Sequence, residues 1–127
     1  MTDRQVVFTA GAPKAIGPYS QGIRAGEWLF VSGQVPLDPD TGQIIEGDIR
    51  AQTRQVLVNL GEILKAAGAS YINVVRTTVF LADLNDFTAM NDVYGTFFDG
   101  SPPARSTVQV DRLPRDARIE IDAIAYL

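Results

Sequence analysis

The chain has 127 residues, of which 46% are hydrophobic and 20% are charged, and its formal net charge is −4 at pH 7. This length and composition predict one globular domain, residues 1–127, with enough chain to bury a core. The acidic balance argues against a nucleic-acid surface, which needs a basic footprint, although it leaves a local basic patch open. No apolar run approaches the roughly 18 residues of a membrane span.

The sequence contains no histidine and no cysteine. The missing cysteines exclude disulfides, thiolate nucleophiles and sulfur ligands, and the missing histidines remove the commonest general base and zinc ligand. Acid–base chemistry must therefore come from carboxylates, lysine, tyrosine or positioned water. The segment from Met1 to Gln5 lacks the apolar region of a secretory signal, and these features together fit a cytoplasmic protein.

Short apolar alternations predict three strands before the first helix, at residues 5–8, 21–25 and 28–35. The last two are expected to form a hairpin. A loop rich in proline and glycine, residues 11–18, precedes Tyr19, which either packs this loop down or offers its hydroxyl to a ligand. In the third strand, Ser32 and Gln34 are expected on one face, and Gly33 permits a close backbone approach or marks a β-bulge.

A long amphipathic helix is predicted over residues 49–67, with Asp48 as its N-cap and Gly68 just after its end. Its apolar residues recur at helical spacing and form one stripe that is expected to cover a sheet. Gln52 and Asn59 are expected to fall outside this stripe.

The second half of the chain predicts a central strand, a helix and two further strands, at residues 74–81, 87–98, 104–110 and 118–126. In the central strand, Val75, Val79 and Leu81 are expected on one face. Gly95 lies inside the predicted helix, where glycine costs about 1 kcal/mol relative to alanine, and this suggests close packing.

Arg105 follows Pro102 and Pro103, whose rings fix the backbone and stiffen the approach to the next strand. Its guanidinium is a planar, permanently charged fork that suits a carboxylate or phosphate, although a plain surface arginine is the simpler interpretation. If the last two strands form a hairpin, Thr107 lies opposite Glu120, and Arg105 and Glu120 come close on one face. A cross-strand ion pair is the structural alternative.

The two helices can cover only one face of a sheet of about six strands. The other face carries large apolar side chains such as Trp28, Phe30 and Phe80 mixed with polar groups. An uncovered apolar face of this size needs a partner, so we expect a homo-oligomer with a pocket at the subunit junction.

Several motifs resemble those of the reactive intermediate deaminase (Rid, formerly YjgF) family, and most closely its RidA subgroup. They run in order from about residue 5 to the C-terminus, namely IGPYSQG at 16–22, VSGQVP at 31–36, AQTRQ at 51–55, TTVF at 77–80, LNDF at 84–87 with Asn91, PARS at 103–106, and IEIDAIA at 119–125.

The resemblance implies an α+β, chorismate-mutase-like fold: a mixed six-stranded sheet with two helices on one face. It also implies a homotrimer that forms a central β-barrel, with a site at each subunit interface. The implied reaction is metabolite damage control by hydrolysis of 2-iminopropanoate and 2-iminobutanoate to 2-oxo acids and ammonia, without a cofactor or a metal.

The resemblance assigns two catalytic residues: Arg105 would bind the substrate carboxylate, and Glu120 would activate water or relay a proton. It places five further residues around the substrate: Tyr19, Ser32, Gly33, Asn91 and Thr107. Thr107 departs from the family, because many members have a cysteine here, and a hydroxyl cannot form a thiolate adduct.

Two other functions remain open at this point. One is an endoribonuclease acting on single-stranded RNA, an older label for some members of the family. The other is a non-catalytic small-molecule-binding or chaperone-like module that uses the apolar sheet face.

Overall fold

A computed structural model describes residues 4–127 of the chain. It has six strands, namely β1 (Arg4–Val7), β2 (Gly22–Ala25), β3 (Trp28–Gln34), β4 (Val74–Leu81), β5 (Ala104–Gln109) and β6 (Ile119–Tyr126). Two α-helices, α1 (Ile49–Ala66) and α2 (Phe87–Phe97), and three short 3₁₀ helices, Tyr71–Asn73, Leu84–Asp86 and Pro114–Asp116, complete it. Each predicted strand and helix is therefore present, but the start of the segment at Met1–Gln5 lies outside the described residues.

The strands form one mixed sheet in the order β1-β2-β3-β6-β4-β5. Only β4 and β5 are parallel, because α2 connects them as a crossover helix, and the other neighbours are antiparallel. The α+β architecture and the β2–β3 hairpin are confirmed. The hairpin considered for the last two strands does not form, since β4 lies between β5 and β6.

Both helices pack on the same face of the sheet, as the sequence predicts. The side chain of Asp48 accepts a hydrogen bond from the backbone N–H of Ala51 at 3.0 Å, and Gly68 follows α1 with a φ of 78°. These are the two end signals that the sequence carries. The apolar stripe of α1 is buried and forms the centre of the core: Val56, Leu57, Leu60, Ile63 and Leu64.

Two polar residues of α1 are buried, contrary to the expectation. The amide of Asn59 donates to the carbonyl oxygens of Val35, at 3.3 Å, and Leu37, at 2.9 Å. The side-chain oxygen of Gln52 accepts from the backbone N–H of Arg118 at 2.9 Å. Each side chain satisfies backbone groups of a neighbouring segment, and burial without such partners would be costly. The helix thereby anchors the segments after β3 and before β6.

Two β-bulges change the faces predicted for single residues. A register shift between Val31 and Gln34 turns Gln34 toward the helices, away from the face predicted for it. A second shift, between Val74 and Arg76, buries Val74 and leaves Val75 exposed. These two face assignments were wrong because an inserted residue inverts the alternation.

Gly95 is also not closely packed within one chain. A methyl group at this position would meet no atom within 4 Å of the described chain. The expectation of tight packing there was wrong.

The face of the sheet opposite the helices carries large apolar side chains that one chain leaves exposed: Val6, Trp28, Phe30, Val108 and Tyr126. Trp28 and Tyr126 lie opposite each other in register, with ring centroids 5.0 Å apart. No helix in residues 4–127 combines the length and the apolar character needed to cross a membrane.

Candidate active site

The predicted site residues fall into two groups that one chain does not bring together. Tyr19, Ser32, Gly33 and Glu120 line one cavity, which we call the Glu120 pocket. Arg105 and Thr107 lie on β5, next to α2, which carries Asn91. We call this second group, together with Phe87 and Tyr94, the Arg105 patch.

The strand register places the two groups on opposite faces of the sheet. Thr77 of β4 pairs with Arg105 on one side and with Ala123 on the other, so these three residues share a face. Ala123 is buried beneath the helices, whereas Glu120, three positions earlier on the same strand, points to the opposite face. The expectation that Arg105 and Glu120 approach each other within one chain was therefore wrong, because it depended on the β5–β6 hairpin.

The Glu120 pocket has a volume of about 530 Å³. Besides the four predicted residues, it is lined by Ile16, Val35, Leu37, Pro114 and Arg115. Gly33 is required by the fit: a methyl group added there would lie 2.8 Å from the carboxyl carbon of Glu120 and would overlap its oxygen. The glycine in the bulge thus allows the carboxylate to lie against the backbone of β3.

Hydrogen bonds to the preceding loop fix the other wall of the pocket. The hydroxyl of Ser32 donates to the carbonyl oxygen of Ser20 at 2.6 Å, and the backbone N–H of Ser32 donates to the backbone carbonyl oxygen of Gln21 at 2.9 Å. The backbone N–H of Ile16 donates to the hydroxyl of Tyr19 at 3.3 Å. Tyr19 is half exposed and borders the cavity, so its loop-packing role and its position beside a ligand site are both present.

The buried side chain of Gln21 holds the loop before Tyr19 in place through hydrogen bonds to its backbone. It is 3% exposed, accepts from the backbone N–H of Thr9 at 2.7 Å, and donates to the carbonyl oxygens of Thr9 at 3.0 Å and Pro13 at 2.9 Å. A buried amide with its donors and acceptor satisfied holds the chain in one conformation.

Burial raises the pKa of Glu120 above its ordinary value, and the nearby charge of Asp122 raises it further. None of the ion pairs among the described residues includes Glu120. A carboxyl group with a raised pKa, in a cavity, is suited to accept a proton and return it.

The guanidinium of Arg105 lies over two aromatic rings of α2. Its central carbon is 4.7 Å from the ring centroid of Tyr94 and 5.6 Å from that of Phe87. Asn91 lies four residues after Phe87 on the same helix, so the three α2 residues recur at i, i+4 and i+7. No ion pair in residues 4–127 involves Arg105, so its charge is available to an anion.

Thr107 lies in register with the buried Val79 and faces the helices. Its hydroxyl oxygen is buried and has no hydrogen-bond partner in the part of the chain that the structure describes. Such a group is rare and costly in a folded protein.

Sequence reasoning missed three neighbours of the site. Nothing in the sequence marks Tyr94 and Phe87 as neighbours of a site, and only the parallel β4–β5 pairing shows that Arg105 faces them. Arg115 borders the Glu120 pocket with a φ of 60°, which is unusual for a non-glycine residue, and no pattern in the sequence marks it. Among residues 4–127 there is no group of three or more acidic, histidine or cysteine residues that could hold a metal ion.

The family model described as Endoribonuclease L-PSP matches residues 9–127. A RutC family protein of Pyrococcus horikoshii is 58% identical over 123 residues, covering 97% of this chain and 98% of that protein. The 2-iminobutanoate/2-iminopropanoate deaminase of Mus musculus is 54% identical over 122 residues, covering 96% and 90%. The crystal structure of a Rid-family protein of Yersinia pestis superposes with a TM-score of 0.95 at 46% identity, covering 98% and 99%.

Proposed function

Because this chain belongs to the Endoribonuclease L-PSP family, that is, the Rid (YjgF) family, and is RidA-like, we propose that it hydrolyses short-chain 2-imino acids. The substrates would be 2-iminopropanoate and 2-iminobutanoate, and the products 2-oxo acids and ammonia. The observation that carries this proposal is the Glu120 pocket, where a half-buried carboxyl group with a raised pKa lines a cavity of about 530 Å³. The name of the mouse relative supports the choice of substrate.

The active site is composite in this proposal, and the active form is a homotrimer. The Glu120 pocket of one protomer faces the Arg105 patch of the next, and the three sheets enclose a central barrel. Two observations support this arrangement. The two halves lie on opposite faces of one sheet, and the face around Glu120 carries exposed apolar residues such as Trp28 and Phe30, which are 44% and 46% exposed.

In the first step, Arg105 binds the carboxylate of the imino acid through charge-assisted hydrogen bonds. A guanidinium already stacked on Tyr94 loses little freedom when it binds, so much of the cost of orientation is met before the substrate arrives. The C=N carbon of the substrate is thereby fixed with respect to the carboxyl group of Glu120.

Glu120 then takes a proton from a water molecule as the water oxygen attacks the carbon of the protonated imine, and the electron pair of the C=N bond moves to the nitrogen. The product of this addition is a tetrahedral carbinolamine. The protonated Glu120 gives its proton to the amino nitrogen, the C–N bond breaks with its electron pair on nitrogen, and the Glu120 carboxylate takes the hydroxyl proton as the C=O bond forms. The departing ammonia takes up this proton, which restores the carboxylate. The raised pKa suits this exchange, because it makes the carboxylate a stronger base than an ordinary glutamate.

The remaining residues shape the site. Tyr19 and the backbone at Ser32 and Gly33 line the side that holds the water, and Asn91 offers a polar contact beside Arg105. Thr107 supplies a hydroxyl but no thiol, so an activity that needs a cysteine at this position is absent from the proposal. Imine hydrolysis as written above requires no thiol.

The test is coupled ammonia release. An amino-acid oxidase or a threonine dehydratase generates the imine in situ, and semicarbazide traps the imine that remains. We expect faster loss of the imine with the wild type and no acceleration with Arg105→Ala. If no short imine disappears faster than by spontaneous hydrolysis, the deaminase proposal is wrong and a binding module becomes the better interpretation.

Mixed assemblies test the composite site separately. Arg105→Ala and Glu120→Gln protomers, each inactive alone, are co-expressed under two affinity tags and purified for the presence of both. Every trimer that contains both protomer types has one junction, about a third of its sites, that combines an intact Arg105 with an intact Glu120 and recovers activity. Recovery requires that the two residues act across a subunit boundary, and inactive mixed assemblies would contradict this.

Endoribonuclease activity is the second candidate, because the matched family model carries that description. The net charge of −4 and the absence of histidine weigh against it. It gains support only if RNA cleavage co-elutes with the protein and disappears in Arg105→Ala.

A further inference from the structure

The guanidinium of Arg105 belongs to a closed ring of contacts with Thr77 and Tyr94, of which the proposed reaction uses only the stacking on Tyr94. Arg105 pairs with Thr77 in the β5–β4 register. The hydroxyl groups of Thr77 and Tyr94 lie 2.7 Å apart in a hydrogen bond, and the ring of Tyr94 returns to Arg105 at 4.7 Å. Strand pairing, a hydrogen bond and a cation–π contact therefore connect three residues in a ring.

The two supporting residues are rigidly held. Thr77 is fully buried, and Tyr94 is 5% exposed. Tyr94 also packs against Phe98, with ring centroids 4.6 Å apart. A side chain whose own rotamer is fixed by packing can fix the neighbour that it contacts.

We propose that Tyr94, tied to the sheet by Thr77, is the positioning residue that sets the orientation of the Arg105 guanidinium for carboxylate capture. Tyr94 acts through Arg105 and not on the substrate. The inference rests on the proposed function for its role in catalysis, but the orientation of Arg105 can be measured without any substrate.

The chemistry explains why a tyrosine is suited to this position. The ring attracts the guanidinium through its π face, and the hydroxyl fixes the rotation of the ring by bonding to a residue opposite Arg105 itself. Phe87, which is partly exposed and 5.6 Å away, can add attraction but has no hydroxyl with which to fix its own orientation.

The direct test is nuclear magnetic resonance of the arginine Nε–H groups in the intact protein, with the Arg105 signal assigned by its loss in Arg105→Lys. We expect the Nε–H group of Arg105 to show restricted motion in the wild type and greater mobility in Tyr94→Leu. Thr77→Val should raise the mobility of Arg105 in part, and Thr77→Ser, which keeps the hydroxyl, should leave it as in the wild type. Arg54, whose guanidinium lies 5.8 Å from the ring of Phe97, serves as the internal control and should not change.

The functional test measures binding of 2-oxobutanoate and the kinetics of imine hydrolysis. Loss of a cation–π contact in Tyr94→Leu should weaken binding roughly 3- to 30-fold. We expect KM to rise more than kcat falls, and Tyr94→Phe to show a smaller effect. Tyr71→Phe is the matched control, since it removes another hydroxyl that donates within the core, to Leu57 at 2.6 Å, and does so away from Arg105.

The possible results separate the two proposals. Unchanged mobility of Arg105 in a folded Tyr94→Leu protein would overturn the positioning role, whatever the activity. Should Tyr94→Leu fail to fold, unchanged Arg105 signals in Thr77→Val and Tyr94→Phe would overturn it equally. If Arg105 becomes mobile in Tyr94→Leu while the wild type hydrolyses no imine, the positioning role is supported and only the proposed function is contradicted.

Discussion

The Glu120 pocket and the Arg105 patch each carry one of the two proposed catalytic residues, but they are built in different ways. The pocket depends on irregular backbone: a β-bulge at Gly33, the loop before Tyr19 and the turn at Arg115. The patch depends on regular elements, an edge strand and one face of α2. Irregular backbone can enclose a side chain in a cavity, whereas a strand packed on a helix holds a side chain at the protein surface.

The charged groups of the two regions also lie in different environments: Glu120 is partly enclosed, whereas Arg105 lies over aromatic rings. Partial enclosure makes ionisation of Glu120 harder, which suits a group that must exchange a proton. Arg105 stays charged, and contact with aromatic faces fixes it without neutralising it. In the proposed site, one sheet thus carries its proton-transfer group, Glu120, and its anion-binding group, Arg105, on opposite faces and in opposite environments.

The two largest effects are expected at the proposed catalytic residues, and the first is that of Arg105→Lys. This change keeps the charge but loses the two-pronged geometry, and charge-assisted hydrogen bonds of roughly 1.5–3 kcal/mol each predict at least a 100-fold loss of kcat/KM. Oligomeric state and Tm should stay unchanged. Arg54→Lys, at another arginine lying over an aromatic ring, is the control and should keep full activity. Wild-type rates in Arg105→Lys would remove Arg105 from the site.

Glu120→Gln should lower kcat by roughly 10²- to 10⁴-fold, the usual contribution of a general acid–base group. Binding of a 2-oxo acid should persist, which distinguishes loss of chemistry from loss of the pocket. Steady-state kinetics and calorimetry of 2-oxobutanoate binding provide the two measurements. A variant that turns over at the wild-type rate would exclude the proton-transfer role.

The same variant has a predictable pH dependence of stability. Because the pKa of Glu120 is raised in the folded state above its ordinary value of 4.5, its ionisation opposes folding. The contribution of protonated Glu120 to the free energy of unfolding is fully present below pH 4.5 and is lost as the pH rises through the raised pKa. Glu120→Gln should therefore have a higher Tm than the wild type at pH 7 and lose this advantage at pH 4. Equal Tm differences at both values would contradict the raised pKa.

Gly33→Ala tests whether the bulge is needed for the carboxylate. The added methyl group overlaps the Glu120 side chain, and overpacking of this kind costs about 1–3 kcal/mol. We expect about a tenfold loss of kcat, because Glu120 must move, with the fold retained in circular dichroism. Gly95→Ala is the matched control: it meets open space in α2 and should stabilise the helix by about 1 kcal/mol.

The smallest expected effect is that of Thr107→Val, which removes a buried hydroxyl without a partner. The free protein should gain about 1 kcal/mol of stability, since the cost of burying an unsatisfied polar group disappears. If substrate uses this hydroxyl, KM rises a few-fold in the same variant. Thermal denaturation with and without 2-oxobutanoate measures both effects, and a loss of stability in the free protein would show that the hydroxyl has a partner.

Local signals in the sequence predict the individual elements well. Asp48 and Gly68 mark the ends of α1 through their side-chain and backbone chemistry, and both act in the structure as expected. The helical stripe likewise identifies the core residues of α1. These features depend on neighbours within a few positions, which a sequence displays directly.

Non-local features escaped prediction. Pairing of β5 with β4 instead of β6 depends on the crossover through α2, and this moved Arg105 to the face opposite Glu120. Asn59 is buried because carbonyl groups more than 20 positions away accept its hydrogen bonds. The identities of the candidate site residues came from the family resemblance, whereas their division into two groups became visible only in the structure.

The position of β6 has a consequence for synthesis on the ribosome. This strand follows the other five in the chain, yet it lies between β3 and β4 and is the sole link between the β1–β3 part and the β4–β5 part of the sheet. Until it emerges, both parts expose an unpaired strand edge to other nascent chains. Newly made protein is therefore most exposed to faulty association before β6 pairs with β3 and β4, and a chaperone that covers strand edges would help most at that stage.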